Sequence, residues 1–185
     1  MKKIVIYGSG DYGQILKQLV LDNDFKFLGY IDDFNTGPEI LSTYNDAVDW
    51  LIQEKIGVVL GIGYKYIKER LKIAGEMISR GIELPTLISS SAFVHKTSCV
   101  EDWVVIMPNT TVDMRTRIGF CSVLWPAAVV NHDSVIGQGT FVSSGAIICG
   151  RCNIGSSVFI GAGSVIVEEA RVPDEFSISA HWLVK

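Results

Sequence analysis

Two short stretches of the chain hold side chains whose types and spacing could do chemistry. In "VVNHDSVIG", residues 129–137, the imidazole of His132 stands beside the carboxylate of Asp133 in an otherwise apolar run. General-base catalysis uses such a pair, because the ring titrates near neutral pH and an adjacent carboxylate orients it and favours its charged form. The same pair also suits a solvated corner of the backbone, so the elements around it must decide. In "IYGSGDYG", residues 6–13, Gly8, Gly10 and Gly13 satisfy G-x-G-x-x-G directly after an apolar run, with Asp32 and Asp33 19 and 20 residues beyond Gly13. Such glycines let the chain turn tightly and bring backbone N–H groups to a diphosphate at a helix N-terminus. An NAD site is the generic reading, but the half that contains the motif is shorter than the double unit a dinucleotide needs, and a nucleotide-sugar fits that size better. "CGRC", Cys149 to Cys152, has the spacing of a redox or half-zinc motif, yet no second pair completes a metal site.

The elements that must position these residues fall into two halves with different periods. Residues 1–84 alternate strand and helix: "KIVIYG", then "DYGQILKQLVLD" with Ile15, Leu16, Leu19 and Val20 at helical spacing, then "KFLGYIDDF", "VVLGIG", and the charged amphipathic helix "YIKERLKIAGEMISRG" ending at Gly81. That βαβ rhythm implies a small parallel sheet covered by helices, with Lys65, Lys68, Arg70 and Lys72 on the solvated face of the last helix. From Ile88 every sixth residue is Ile, Leu or Val, through sixteen successive positions to Ile178. A run of that length nearly forces a repeat architecture. Four places beyond each aliphatic lies a mostly small residue, from Ala92 and Ser98 through Ser134, Cys152 and Ala170, with Val104 and Val158 as mild exceptions. The reading is a solenoid of short flat strands with the aliphatics inside, the small residues at tight spots, and Gly119, Gly137, Gly155 and Gly161 at corners where the backbone turns. Cys152 then fills an inward slot without chemistry. Phe176 and Trp182 break the small-residue rule, so residues 172–185 read as a cap on the open end.

Composition limits the partners. The net charge is −4 from 16 basic and 20 acidic residues, and no Lys/Arg block forms a phosphate-backbone footprint, so nucleic acid is not an expected partner. No segment approaches the roughly 18 apolar residues of a bilayer span, and Gly and Asp interrupt the N-terminal apolar run before a signal-peptide core can form. The expectation is a soluble cytoplasmic protein, with no membrane partner, whose four cysteines are reduced thiols.

Three pieces, "IYGSGDYG", "YIDDF" and "VVNHDSVIG", together with the repeat, resemble the bacterial sugar acetyltransferases that carry a left-handed parallel β-helix of hexapeptide repeats behind an N-terminal nucleotide-sugar-binding βαβ domain. Sialic-acid O-acetyltransferases are similar in layout. The resemblance implies a Rossmann-like α/β domain at 1–84, an all-β left-handed β-helix at 85–171 with 18 residues per coil and about five coils, and the cap at 172–185. It implies a homotrimer that transfers acetyl from acetyl-CoA, without a metal, to the amino group of a nucleotide-linked deoxy-aminosugar for glycan or lipopolysaccharide synthesis. Two other readings stay open: O-acetylation of a sugar hydroxyl, and a nucleotide-sugar-binding trimeric scaffold without catalysis.

The resemblance also assigns residues. His132 corresponds to the general base, and Asp133 to the acid, commonly Glu in the family, that orients it. Gly150, one coil beyond His132, corresponds to the backbone N–H that stabilises the oxyanion. Phe141, often His in the family, and Ala162 fall at coenzyme positions in a cleft between subunits. Gly10, Asp11 and Tyr12 would approach the substrate, Asp32 and Asp33 the nucleoside, and Gly63 the phosphates. Tyr12 stands where the family usually has His, Tyr64 where it has Asn, and "SISAHWLVK" replaces its terminal G-x-P-A segment. His95 and His181 lie 37 and 49 residues from His132, not multiples of 18, which disfavours a three-histidine zinc site on one edge of the coil.

Overall fold

A computed structural model describes all residues, 1–185, and the chain divides into two compact units, Met1–Pro85 and Thr86–Lys185. In the first unit, β1 (Lys3–Tyr7), α1 (Asp11–Asp22), β2 (Lys26–Ile31), β3 (Ile40–Ser42), α2 (Tyr44–Gln53), β4 (Gly57–Leu60) and α3 (Ile67–Ser79) follow in order. The sheet runs β3-β2-β1-β4 with every pair parallel. Ile4, Val5 and Ile6 of β1 and all of β4 are buried, as expected for parallel strands covered on both faces. β3 and α2 are additions to the sequence reading. Thr43 caps α2: its hydroxyl accepts from the Asp46 N–H at 3.4 Å and donates to the Asp46 carboxylate at 2.7 Å.

The reading of α3 needs one correction. Lys65, Lys68 and Lys72 are exposed, but Arg70 is only 1% exposed. The cause is helical phase: Arg70 falls with Ile67, Ala74 and Met77 on the one face that α3 buries.

The second unit is a parallel β-solenoid of about five turns, built from three sheets of five, six and six strands. Every strand has two residues, and strands 18 residues apart pair in parallel register, as Val129↔Ile147 and Val130↔Ile148 illustrate. The second residue of each strand is the sixth-place aliphatic, and these side chains stack into one continuous core. The small residues between them do more than save space. Their buried hydroxyls donate to a turn carbonyl of the next coil: Ser122 to Gly137 at 2.9 Å, Ser134 to Cys149 at 2.9 Å, Thr140 to Gly155 at 2.9 Å. Cys152 takes the same role, its thiol donating to the Val167 carbonyl at 3.0 Å.

The corners correct the glycine argument. From Val100 on, left-handed φ falls at the third place after each aliphatic, on non-glycine residues such as Arg115, Asp133, Arg151 and Glu169 as well as on Gly139, Gly145 and Gly163. Gly119, Gly137, Gly155 and Gly161 stand two places earlier, outside that region, and are needed because a Cβ there would strike the backbone or side chain of the next coil. The strands at Arg171–Val172, Ser177–Ile178 and Leu183–Val184 keep the register of the coil, so the segment expected as a cap is built as further rungs, with Phe176 and Trp182 exposed. No helix is long and apolar enough to cross a membrane.

Candidate functional site

His132 and Asp133 are the two turn residues between the strands Val129–Val130 and Val135–Ile136. Asp133 takes φ 58°, a region that Asp tolerates better than most residues, and its N–H donates to the Met114 carbonyl one coil below at 3.0 Å. Its carboxylate oxygen Oδ2 lies 2.9 Å from His132 Nδ1, so the shorter acid does reach the ring. Arg115, 18 residues earlier on the same corner, holds that carboxylate through Nε to Oδ1 at 2.6 Å and Nη2 to Oδ2 at 2.9 Å. The Arg115 guanidinium, and His132 after it, keep the Asp133 carboxyl well below the usual carboxylate range. An ionised carboxylate only accepts, so Nδ1–H donates to it and the neutral ring carries its lone pair on Nε2.

Gly150 lies directly against the ring. A Cβ at that position would stand 2.6 Å from His132 Cε1 and 2.8 Å from Nε2, so only glycine leaves the imidazole where it is. The Gly150 N–H donates to none of the chain's carbonyls, whereas its neighbours do: Cys149 N–H to Ile166 O at 3.0 Å and Arg151 N–H to His132 O at 2.9 Å. A half-exposed imidazole with an available lone pair and an uncommitted backbone N–H therefore share one corner. The arrangement can take a proton and stabilise a nearby negative oxygen.

Phe141 and Ala162 stand elsewhere in the coil. Phe141 belongs to a different sheet from the strands flanking His132 and is 4% exposed, in a row with Trp125 and Phe159 at centroid separations of 5.6 and 6.1 Å. Ala162 is a half-buried turn residue whose carbonyl accepts from His181 N–H at 2.8 Å. One chain does not bring either beside His132. No group of three or more His, Cys, Asp or Glu side chains is arranged to hold a metal ion.

In the α/β unit the glycines divide by cause. Gly8 has φ +103°, and Gly13 and Gly61 are packed so closely on Gly8 that a Cβ at either would strike its carbonyl oxygen, whereas a Cβ at Gly10 would meet nothing within 4 Å. Gly10 is also the N-cap of α1, so the first-turn N–H groups of the helix, at Asp11, Tyr12 and Gly13, open beside an uncrowded backbone. Gly63 precedes a short 3-10 turn and adjoins Tyr12, whose ring carbon Cδ1 is 3.9 Å from a Cβ built there. The two aspartates separate. Asp32 is 6% exposed, and its carboxylate accepts from Ser9 N–H and hydroxyl at 2.7 Å each, Phe34 and Asn35 N–H at 2.9 Å each, and Asn35 Nδ2 at 3.1 Å. It is committed to tying the glycine loop to the end of β2. Asp33 is exposed, accepting from the Tyr7 hydroxyl at 2.5 Å and the Tyr44 N–H at 2.7 Å.

Arg115, Tyr7 and Ser9 are the site residues that sequence reasoning missed. Only Arg115 carried a signal, since it stands one 18-residue coil before Asp133.

A repeat solenoid with a histidine–acid corner, joined to a small parallel α/β unit, defines a class, and comparison with known proteins gives its family. Residues 82–184 match the family described as the GMPPB C-terminal domain, which spans more than half of the chain, and the chain belongs to that family. Residues 3–74 match the PglD N-terminal domain. Among solved structures, the chain is similar to the acetyltransferase domain of PglB from Neisseria gonorrhoeae FA1090, with a TM-score of 0.93 and 21% identity over 100% of this chain and 92% of that one. It is similar to a histidine-to-alanine mutant of GDP-perosamine N-acetyl transferase from Caulobacter crescentus in complex with CoA and GDP-perosamine, with a TM-score of 0.81 and 20% identity over 97% and 94% of the two chains. It also resembles WeeI from Acinetobacter baumannii AYE, with a TM-score of 0.59 and 16% identity over 100% and 97%. At these identities the likeness is one of fold.

Proposed function

We propose that the chain is an acyltransferase that moves the acetyl group of acetyl-CoA to the amino group of a nucleotide-linked deoxy-aminosugar. The observation that carries this reading is the contact of the His132 ring with Gly150, because it joins a base and an uncommitted N–H donor at one point. The amine nitrogen attacks the thioester carbonyl while His132 Nε2 takes its proton, and the Gly150 N–H stabilises the oxyanion. Collapse breaks the C–S bond, and the CoA sulfur leaves with the proton that His132 returns. Asp133 orients the ring and receives no proton. Fold neighbours described as bound to CoA and GDP-perosamine, or to acetyl coenzyme A, support the donor and the acceptor class.

The coil is then the left-handed hexapeptide form, and the α/β unit is a Rossmann-like nucleotide-sugar domain in which Gly10, Asp11, Tyr12 and Gly63 meet the sugar and phosphates and Asp33 the nucleoside. The internal bonding of Asp32 favours a supporting role over direct contact. A homotrimer supplies what one chain lacks, since Phe141 and Ala162 stand away from His132 and serve the coenzyme from a neighbouring copy. The outward residues Phe93, Ile147 and Leu183, exposed along one sheet, support a face that packs on another copy. Four free thiols support a reducing, cytoplasmic compartment.

The test is thiol release from acetyl-CoA against UDP-, GDP- and dTDP-linked 3- and 4-aminosugars and their hydroxyl counterparts. An amine acceptor is expected to turn over. His132→Ala is then expected to lower kcat by about 10²- to 10⁴-fold with little change in substrate affinity. Release with hydroxyl acceptors alone would move the reading to O-transfer, and a His132→Ala enzyme with near-full kcat would remove the histidine from it.

A further inference from the structure

The guanidinium of Arg115 is spent on the carboxylate behind the histidine. Both oxygens of Asp133 are taken, at 2.6 and 2.9 Å, and Oδ2 simultaneously receives His132 Nδ1–H at 2.9 Å. Arg115 is itself fixed: its N–H donates to Thr97 Oγ1 at 3.0 Å, and its Nη1 lies 3.1 Å from the Met114 sulfur. The column above it alternates in sign, Arg115, Asp133, Arg151, Glu169, each 18 residues from the next. Arg151 is the other cation that could claim Asp133, but Glu169 at 2.9 Å and Glu168 at 2.5 Å hold it toward the next coil. Asp133 is therefore matched by one cation, and that cation is Arg115. Asp133 is the charged group bonded to the ring; Asp113 and Asp133 face Arg115, and Asp133, Glu168 and Glu169 face Arg151.

A carboxylate alone beside an imidazole does two things at once. It aligns the ring through Nδ1, and it favours the protonated ring, which is useless as a base. A bidentate guanidinium keeps the alignment and offsets the charge. We propose that Arg115 is a positioning residue for His132: it holds the Asp133 carboxylate at two points, so that the imidazole is fixed with Nδ1 on Oδ2 and with Nε2 left free beside Gly150. This rests on His132 acting as the base, but its direct consequence is a property of the ring that can be read without turnover.

The experiment follows the ring nitrogens of His132 by NMR in the full chain, with the resonance assigned by its absence in His132→Gln. The neutral ring of the native protein is expected to show one tautomer, the Nδ1–H form, with that proton hydrogen-bonded. Arg115→Gln is expected to lose the single tautomer and give a mixture of the two. Arg115→Lys keeps the charge without the two-point hold and is expected to restore the native tautomer only in part. In turnover, Arg115→Gln should lower kcat by about 10- to 100-fold with unchanged KM for acetyl-CoA. A ring whose tautomer and kcat are the same in Arg115→Gln as in the native protein overturns the proposal. If His132→Ala kept full turnover, the catalytic reading would fail, and the tautomer would still decide what Arg115 does to the ring.

Discussion

Gly150→Ala tests the corner through a single methyl group. The new Cβ would lie 2.6 Å from His132 Cε1, against the 3.4 Å at which ordinary contact begins, so the ring must retreat by close to 1 Å. The backbone gives no second reason for damage, because φ at Gly150 is outside the left-handed region and alanine is free to adopt it. The ring is anchored only through Nδ1 at 2.9 Å to Asp133, so retreat moves Nε2 off the line to the acceptor nitrogen while the Gly150 N–H stays in place. A misplacement of about 1 Å in a reacting group costs about 10²-fold in rate, which is about 2.7 kcal/mol of barrier. Steady-state thiol release from acetyl-CoA is expected to show kcat lowered by about that factor, with KM for acetyl-CoA within about twofold and little change in melting temperature. In a His132→Ala background the same substitution should cost little more, since the two changes act through one ring. Native kcat in Gly150→Ala would refute the reasoning, and a full additive loss in the double variant would show that the methyl obstructs something other than the imidazole.

Asp32→Ala is expected to destabilise the α/β unit by about 2–4 kcal/mol, because it strands the Ser9, Phe34 and Asn35 donors, and to leave acetyl-CoA binding, which the proposed site assigns to the coil, largely intact. Burial opposes ionisation of Asp32, but the Ser9, Asn35 and Phe34 donors outweigh it and hold the carboxyl below the usual range. Its folded value therefore lies under its unfolded one of about 3.9, and the stability it contributes is whole above that pH and lost as the pH falls further. Denaturant melts should show the native and Asp32→Ala curves converging below about pH 4, and a constant gap would refute the linkage. Native protein is expected to sediment as the proposed trimer at micromolar concentration, and Ile147→Glu, on the exposed apolar face, as a monomer without turnover; a native protein that sediments as a monomer would remove the shared cleft.

The solenoid was legible because each rung repeats the same demand: an aliphatic inward, a small residue four places on, every sixth position for ninety residues. Periodicity of that kind survives reading one residue at a time, and the 18-residue spacing carries His132 to Gly150 and, unremarked, Arg115 to Asp133. What the periodicity left out was which partner each polar group takes. The small slots read as places without room, but the folded coil shows them as donors to the turn carbonyls, Cys152 among them. Asp32 and Asp33 are neighbours of the same type, and only the fold separates a buried carboxylate with five donors from an exposed one facing Tyr7 and Tyr44. Arg70 carried the composition of a solvated helix face and the phase of a buried one, and phase won because α3 can bury only one side. Apolar pattern is written locally in the order of side chains, so it determined the coil and the α/β rhythm. Most of the hydrogen bonds and ion pairs here join residues far apart in the chain, and their geometry exists only after the coils have stacked, so the tertiary structure alone decided what the two neighbouring aspartates and the arginines face.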